Sequence, residues 1–348
     1  VYMSIQFSSE DILNYLSTNP VAQSDHKPNF LLKFYSPKNY NFESVRDEKI
    51  FLSNPIDFND PYDCRLTFNH DALIKRKLID WICSSCKNLE RNKLREGAFD
   101  WTDLDLIYHT RDTSPIHHRD DYTDTIEDAL SSILLNKDSQ FGKTVKNQIR
   151  QILILCNGIL REFDEYVNIG VSCFCNCENN YNIDQTNLMW SHYAMNHKGF
   201  CVMYCFDENV VDKAIDYKLF RIFQPVKYTK HRVFIPKMVL LRHLRGQSSE
   251  QDRQTVIDKV SKSLLTKSTV WKYEGEWRLI CNKVNETISF PYAAAIFIGC
   301  RAQKNVRKKL NEIAEDLKIP IFQTELDSRF YRLNNFDPEQ VYRDLLYR

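Results

Sequence analysis

Glycine is scarce in this sequence, and its scarcity argues against one large group of nucleotide-binding proteins. The 348 residues include 8 glycines. Phosphate-binding loops of the P-loop and dinucleotide-binding types need closely spaced glycines, and neither pattern occurs. If this chain binds a nucleotide, it does so through another kind of loop.

A strong net charge is also lacking. The sequence carries 47 Lys and Arg against 46 Asp and Glu, which gives a formal net charge of +1. Such a balance produces no whole-molecule field that would attract nucleic acid or an acidic partner. A local basic patch remains compatible with this composition.

Long apolar runs and a secretion signal are missing as well. No apolar run approaches the roughly 20 residues that a membrane-spanning helix needs. The first sixteen residues lack the basic and apolar regions of a signal peptide. Eleven cysteines without such a signal are typical of a reducing compartment. We therefore expect a cytoplasmic protein that has no membrane contact.

The pattern of the chain predicts an α+β fold. Strand-like segments such as 30–35, 200–206 and 293–298 are separated by helix-like segments such as 250–267 and 302–316, and hairpin signals are few. Between them, helical patterns at 72–94, 126–135 and 144–163 predict a large insertion beside the sheet. The expected organisation is a mixed-sheet core domain from residues 1–70 and 164–335, a helical insertion at 71–163, and a C-terminal helix at 336–348.

The segment 271–280, Trp-Lys-Tyr-Glu-Gly-Glu-Trp-Arg-Leu-Ile, contains two closely spaced acids. Its aromatic and branched residues are typical of a strand, with 287–291 as its hairpin partner. Alternate residues of a strand face the same side, so Glu274, Glu276 and Arg278 would share one face. Such a pair indicates either a catalytic carboxylate pair in a cleft or an exposed charge ladder neutralised by the arginine.

Two further segments combine polar groups with rigid local structure. The loop 53–63 is dense in turn-forming residues, so Asn59 and Asp60 either shape the turn or face a ligand. Next to the helical pattern 187–194, His192, Tyr193, His197 and Lys198 cluster between regular elements. A lone buried histidine is usually structural, but such a cluster is also compatible with a functional role.

The cysteines give weak signals of metal binding. Cys83 and Cys86 have zinc-site spacing, but they lie within a predicted helix and no second pair follows. The alternating thiols of 173–177 lie near His192 and His197 in sequence. Buried thiols in a strand are a simpler interpretation, and we predict no metal site.

Several segments together resemble a bacterial and phage-associated family that is catalogued only as a domain of unknown function. The matching segments, in the order of the family, are Leu-Lys-Phe-Tyr-Ser at 32–36, the loop 53–63, Met-Trp-Ser-His-Tyr-Ala at 189–194 with His-Lys-Gly-Phe at 197–200, Tyr-Glu-Gly-Glu-Trp-Arg at 273–278 and Ile-Gly-Cys-Arg at 298–301. This chain has Tyr35 where the family often has arginine.

The same chain shows a looser resemblance to the ADP-ribosyltransferases. It carries Glu-x-Glu on a late strand, an earlier strand that ends in serine, and a basic or aromatic residue on the first strand. The resemblance implies a split, mixed β-sheet around a cleft that binds NAD as a substrate. It also implies that Glu276 grips the ribose hydroxyls and that Glu274 orients or deprotonates the acceptor.

The resemblance implies supporting roles for other residues too. Ser53 would steady the active-site strand, and Lys33 or Tyr35 would contact the dinucleotide. The aromatic stacking partners of the bases would be His192, Tyr193 and Tyr273. Asn59 and Asp60 would be loop contacts. Arg278 is expected to turn toward Asp60 or Asp63, or to meet a phosphate of the ligand, because pairing with Glu276 would neutralise the catalytic charge.

Three functions are compatible with the sequence. The first is an NAD-consuming transferase or hydrolase, such as a toxin or anti-phage defence effector, whose acceptor is a protein, a nucleic acid or a small molecule. The second is a nucleic-acid-processing enzyme with a divalent metal on Asp57, Asp60, Glu274 and Glu276. The third is a noncatalytic sensor or interaction module. In each case the helical insertion can serve as a surface for a partner protein.

Overall fold

The structure is a computed structural model that describes residues 5–19, 28–68, 151, 154–163, 168–177, 186–207, 209–210 and 223–347. The chain forms two compact units. The sheet unit comprises Gln6–Leu66, Asp164–Val233 and Arg253–Arg348, and the second unit comprises Val1–Ile5, Thr67–Phe163 and Phe234–Asp252. The helices predicted at 72–94 and 126–135 lie outside the described residues, whereas 154–163 are helical.

The regular elements are as follows. The helices are α1 (Ser9–Thr18), α2 (Asn39–Arg46), α3 (Thr186–His192), α4 (Lys237–Leu244), α5 (Glu250–Leu264), α6 (Lys304–Leu317) and α7 (Pro338–Leu346), with 3₁₀ helices at Pro55–Asp57 and Thr269–Glu274. The strands are β1 (Phe30–Tyr35), β2 (Lys49–Leu52), β3 (Thr67–Phe68), β4 (Gly170–Cys175), β5 (Phe200–Cys205), β6 (Phe223–Pro225), β7 (Lys227–Thr229), β8 (Phe234–Ile235), β9 (Thr266–Ser268), β10 (Glu276–Cys281), β11 (Glu286–Ser289), β12 (Ala293–Ile298), β13 (Ile321–Gln323), β14 (Glu325–Leu326) and β15 (Leu333–Asn334).

The sheet unit is built on an open, seven-stranded sheet in the order β13-β12-β5-β1-β4-β10-β6. Neighbouring strands are antiparallel except for β12 and β13, which are parallel. The α+β class and the mixed sheet predicted from the sequence are therefore confirmed. None of the described helices has the length and apolar character that crossing a membrane requires.

Both faces of this sheet are covered, because successive side chains of a strand point to opposite sides. On β1, Leu31 and Tyr35 belong to one core cluster, which also includes Leu310 and Ile313 of α6. Phe30, Leu32 and Phe34 belong to the opposite cluster, which includes Trp190 of α3 and Val341 of α7. This two-sided burial explains why β1 reads as a nearly continuous apolar run.

The sheet opens between β1 and β4. These two strands share one registered pair, Leu32 with Cys175, whereas β1 and β5 pair along six positions. The ammonium of Lys33 ties the separating strands together by donating hydrogen bonds to Ser172 Oγ (2.9 Å) and to the Cys173 carbonyl (2.8 Å). Such an opening in the middle of a sheet leaves room for side chains to converge on a cavity.

The structure corrects the prediction for 271–280. Its first part belongs to the 3₁₀ helix Thr269–Glu274, and Gly275 then adopts a left-handed backbone with φ of 51°. Glycine tolerates this conformation, so the chain turns there and β10 begins at Glu276. Glu274 and Glu276 therefore do not share a strand face. The predicted hairpin partner is also wrong, since β11 pairs with β2 and not with β10.

Candidate functional site

A cavity of about 400 Å³ lies in the sheet unit where β1 and β4 separate. Its walls come from β1, β4, the loop 57–63, α3, β9, and the Glu274–Glu276 turn. Ligand pockets of proteins commonly have volumes of roughly 300–1,000 Å³. The predicted loop and the predicted acid pair thus border one cavity, and both Glu274 and Glu276 line it.

Glu276 is held at this cavity by two cations. Its Oε1 accepts a hydrogen bond from Arg278 Nε (2.7 Å), and its Oε2 accepts from Arg278 Nη2 (3.1 Å) and from Lys267 Nζ (2.8 Å). Burial raises the pKa of this carboxyl, but the charges of Arg278 and Lys267 outweigh burial and lower its pKa to about 2. Glu276 is therefore ionised at neutral pH although it is 4% exposed.

Arg278 is fully buried and has used all its donors. Besides Glu276, its guanidinium donates to Asp63 Oδ2 (2.7 Å), to the Leu264 carbonyl (2.7 Å) and to Cys64 Sγ (2.9 Å). A guanidinium has five N–H donors, and these contacts together with Glu276 occupy all five. The predicted turn toward Asp63 is present. The expectation that Arg278 would not pair with Glu276 is wrong, because both carboxylate oxygens of Glu276 accept hydrogen bonds from its guanidinium.

Glu274 occupies the end of the 3₁₀ helix and has a different environment from Glu276. Its Oε1 accepts a hydrogen bond from the Tyr193 hydroxyl (2.6 Å), and its Oε2 accepts from Lys267 Nζ. Burial raises the pKa of Glu274 above its ordinary value, although Lys267 and Tyr193 oppose this shift. The two carboxyl groups thus have pKa values shifted in opposite directions, as acid–base pairs of enzymes often do.

Lys267 joins the two acids and was missed by the sequence analysis. Its ammonium contacts Glu274, Glu276 and, at 3.6 Å, Asp63 Oδ2, while it lies 5.1 Å from the centre of the Trp271 ring. Burial lowers the pKa of Lys267, but the adjacent carboxylates outweigh burial and raise it. The sequence pattern predicts Lys267 at the end of a helix, whereas α5 ends at Leu264 and Lys267 lies on β9.

Aromatic rings surround His192 beside the acid pair. The ring centre of His192 lies 6.3 Å from those of Tyr193 and Trp271, and 6.5 Å from that of Tyr273. Trp271 Nε1 donates a hydrogen bond to Asp60 Oδ2 (2.8 Å). Asp60 therefore positions an aromatic ring, while its neighbour Asn59 lines the cavity. His192 and Tyr193 line it too.

Other predicted site residues lie elsewhere. Tyr35 is buried, shares a hydrogen bond of 2.7 Å with the Tyr204 hydroxyl, and stacks on Phe200 in the core. A contact between Tyr35 and a dinucleotide is therefore excluded by its burial in the core. Ser53 does not line the cavity, but its backbone exchanges two hydrogen bonds with Val171 of β4.

His197 is separated from the other members of its predicted cluster. It follows α3 in a left-handed turn, stacks on Trp190 with ring centres 6.1 Å apart, and contacts Ser191 Oγ through Nε2. It does not line the cavity. Of the predicted histidines, His192 alone reaches the candidate site in the described part of the chain.

The thiols do not form a metal site with other residues that the structure describes. Cys175 Sγ lies 3.6 Å from Cys177 Sγ, and burial raises the pKa of Cys173. Within the described ranges, no group of three or more His, Cys, Asp or Glu residues is arranged to hold a metal ion. Cys83 and Cys86 lie outside those ranges.

Part of the chain is similar to a known protein family. A family model described as a protein of unknown function (DUF2971) matches residues 189–279. The matched segment begins in α3 and ends in β10, so it contains Glu274, Glu276 and Arg278. This segment is thus similar to an uncharacterised domain family. No curated protein and no solved structure matches the chain.

Proposed function

We propose that this protein is an NAD-consuming enzyme of the ADP-ribosyltransferase type, which transfers ADP-ribose to an acceptor or hydrolyses NAD. The observation that carries the proposal is the acid pair at the cavity where the mixed sheet opens. Glu276 is ionised there, whereas the pKa of Glu274, which Gly275 separates from Glu276, is raised. The presence of both glutamates at one cavity supports the roles that the resemblance implies for them.

The proposed chemistry needs a fixed negative charge. When the bond between ribose and nicotinamide breaks, its electron pair leaves with nicotinamide and the ribose carbon becomes positively charged. A preorganised carboxylate stabilises that charge without rearrangement of solvent. The ionic cluster (Asp63, Lys267, Glu274, Glu276, Arg278) has three carboxylates against two cations, so it carries a net negative charge when all members are ionised.

The two glutamates differ in the hydrogen bonds that they can still accept. Two carboxylate oxygens offer about four acceptor positions. Glu276 accepts three bonds from its cations, whereas Glu274 accepts one bond from Tyr193 and one from Lys267. Glu274 therefore has more capacity to receive a proton from water or from an acceptor hydroxyl, whose oxygen then bonds to the ribose carbon.

The walls of the cavity suit a planar ring. Aromatic side chains bind planar rings by offset or edge-to-face contact. His192 at the end of α3, Tyr193 directly after it and Phe58 of the loop line the same cavity as the acids. We propose that one base of the dinucleotide lies against these rings while its ribose reaches the acid pair.

The test is the release of nicotinamide from NAD, followed by chromatography. We expect the wild-type protein to release it and the Glu276→Gln and Glu274→Gln variants to lose most of the rate. The Glu312→Gln variant is the control, because Glu312 lies on α6 and does not line the cavity. Unchanged release by a folded Glu276→Gln variant, or none by the wild type, would contradict the proposal.

One observation favours a noncatalytic ligand sensor as the second candidate. The charge of Glu276 is already neutralised in large part by Arg278 and Lys267. A sensor would bind a nucleotide without consuming it, and binding would raise the unfolding temperature. A thermal shift with NAD but no nicotinamide release distinguishes this candidate. The metal-dependent alternative has no ligand set among the residues described.

A further inference from the structure

The two cations that hold Glu276 are fixed in different ways. Arg278 is anchored by a backbone carbonyl and a thiol in addition to its carboxylates, and its side chain is 0% exposed. Lys267 has carboxylates as its hydrogen-bond and ion-pair partners, together with the face of Trp271, and it lines the cavity. Arg278 therefore belongs to the core, whereas Lys267 belongs to the site.

Lys267 is also the one described cation that contacts both acids. Its Nζ lies within hydrogen-bond distance of Glu274 Oε2 and of Glu276 Oε2, while Arg278 contacts Glu276 and not Glu274. Two adjacent carboxylates repel each other unless a cation lies between them. The ammonium of Lys267 lies at that position.

We propose that Lys267 is a positioning residue, which holds Glu274 and Glu276 side by side and keeps Glu274 in its ionised form for proton transfer. As a statement about catalysis, this inference rests on the proposed function. As a statement about the ionisation of Glu274, it stands on the geometry of the ligand-free protein. The two parts are tested by different measurements.

Other groups also act on Glu274, so the contribution of Lys267 must be isolated. The groups that act on it are Lys267, Glu276, Tyr193, Tyr228, Tyr273 and Cys175. Arg278 and Asp63 belong to the same ionic cluster, and Lys33 and His192 line the same cavity. Among the described cations, Lys267 is the one that forms a hydrogen bond with Glu274. Its removal leaves Glu274 next to the negative charge of Glu276, and protonation of Glu274 becomes easier.

The first measurement is a titration of the ligand-free protein. The carboxyl carbon of Glu274 is followed by carbon-13 NMR and assigned with Glu274→Gln. In Lys267→Met we expect the titration midpoint of Glu274 to rise by about one pH unit or more. The matched control is Lys304→Met, since Lys304 is exposed at the start of α6 and does not line the cavity. A midpoint that is the same in both variants would overturn the proposal.

The second measurement is the pH dependence of nicotinamide release. If Glu274 must be ionised, activity falls as the pH drops through its pKa, so Lys267→Met should move this acidic limb to higher pH. A merely structural role would lower activity equally at every pH and would leave the limb in place, which would overturn the catalytic part. In Lys267→Ala, added propylammonium replaces the side-chain atoms that are lost beyond Cβ. We expect it to return the acidic limb to the pH at which the wild type shows it.

Two outcomes need separate treatment. If the wild-type protein releases no nicotinamide, the proposed function fails, yet the NMR titration still decides whether Lys267 controls Glu274. If Lys267→Met does not fold, the double variant with Glu274→Gln removes the unpartnered acid together with the cation. Recovery of folding in that double variant supports the inference, and continued failure overturns it.

Discussion

Arg278 and Glu276 stand two residues apart on β10 and form a hydrogen-bonded ion pair on one face of it, with Nε of the arginine 2.7 Å from Oε1 of the glutamate. The pair is buried and extends through the same guanidinium to Asp63. A buried charge without its partner costs far more than an exposed one. The pair therefore governs both the stability of this part of the sheet and the charge at the cavity.

Replacing Arg278 by lysine is expected to be severe although the charge is kept. A lysine has three donors and no planar fork, so it cannot reach Glu276, Asp63 and Leu264 together. We expect a loss of about 3–5 kcal/mol in the free energy of unfolding, measured with urea. The control is Arg343→Lys in the exposed pair with Glu339 on α7, for which about 0.5 kcal/mol or less is expected. Equal losses in the two variants would contradict this prediction.

Ionised Glu276 should stabilise the fold, and this contribution should be lost at acidic pH. Its pKa in the folded protein is about 2, below the ordinary value of 4.5. Its stabilising contribution is thus complete above the ordinary value and is lost as the pH falls toward 2. Unfolding temperatures of the wild type and of Glu276→Gln should converge from about pH 5 downward. A constant difference between them at every pH would show that the charge of Glu276 is not the cause.

Protonation of Glu274 should change the stability of the fold in the opposite direction to protonation of Glu276. Because burial raises the pKa of Glu274 in the folded protein, the folded state binds this proton more tightly than the unfolded state does. Protonation therefore stabilises the fold as the pH falls through the raised pKa. The Glu274→Gln variant, which mimics the neutral form, should lack this gain in a plot of unfolding temperature against pH. If Glu274→Gln and Glu276→Gln gave the same plot, the two environments would be equivalent.

The hydroxyl of Tyr193 is expected to matter through Glu274. It donates a hydrogen bond of 2.6 Å to that carboxylate, and the Tyr193→Phe variant removes it while the ring stays in place. We expect a loss of about 1.5 kcal/mol in stability and an acidic limb of nicotinamide release at higher pH. Tyr331→Phe is the matched control, because Tyr331 is 97% exposed. The prediction fails if the acidic limb of nicotinamide release lies at the wild-type pH in both variants.

A methyl group at Gly199 is expected to disrupt the start of β5. A Cβ atom at this position would lie 2.0 Å from the carbonyl oxygen of Tyr35, well inside contact distance. We expect Gly199→Ala to cost about 3 kcal/mol. Gly158 lies in a helical segment, and no atom of the described residues comes within 4 Å of a Cβ at this position, so Gly158→Ala should gain about 0.5–1 kcal/mol. Thermal unfolding of both variants checks the difference, and a stable Gly199→Ala would contradict the close approach.

The sequence predicted the regular elements well where they have a strong apolar pattern. The strands at 30–35 and 293–298 have the predicted bounds, and the helix predicted at 302–316 is α6. These segments bury residues with the period of their element, so composition and spacing suffice. The prediction failed at Glu274, because the aromatic residues that precede it suit a strand as well as a 3₁₀ helix. The glycine at 275 was the available signal for the turn.

The site was predicted in part. The loop at Asn59 and the acids at 274 and 276 meet at one cavity. Both segments were candidates because turn-forming residues and paired acids are visible in the sequence itself. Lys267 was missed because a lysine at the end of a charged helix resembles a solvated residue. Its role depends on which carboxylates the fold brings to it from 63, 274 and 276, and sequence spacing does not contain that information.

The central place of β1 has a consequence for how the chain is made. Its neighbours on the sheet are β4 and β5, and Lys33 contacts Ser172, which lies 139 positions later. During synthesis, both edges of β1 remain without partners until those later segments leave the ribosome. Sheets with such distant pairing fold slowly and expose aggregation-prone edges in the meantime. We therefore expect the nascent chain to depend on chaperones until residue 205 has emerged.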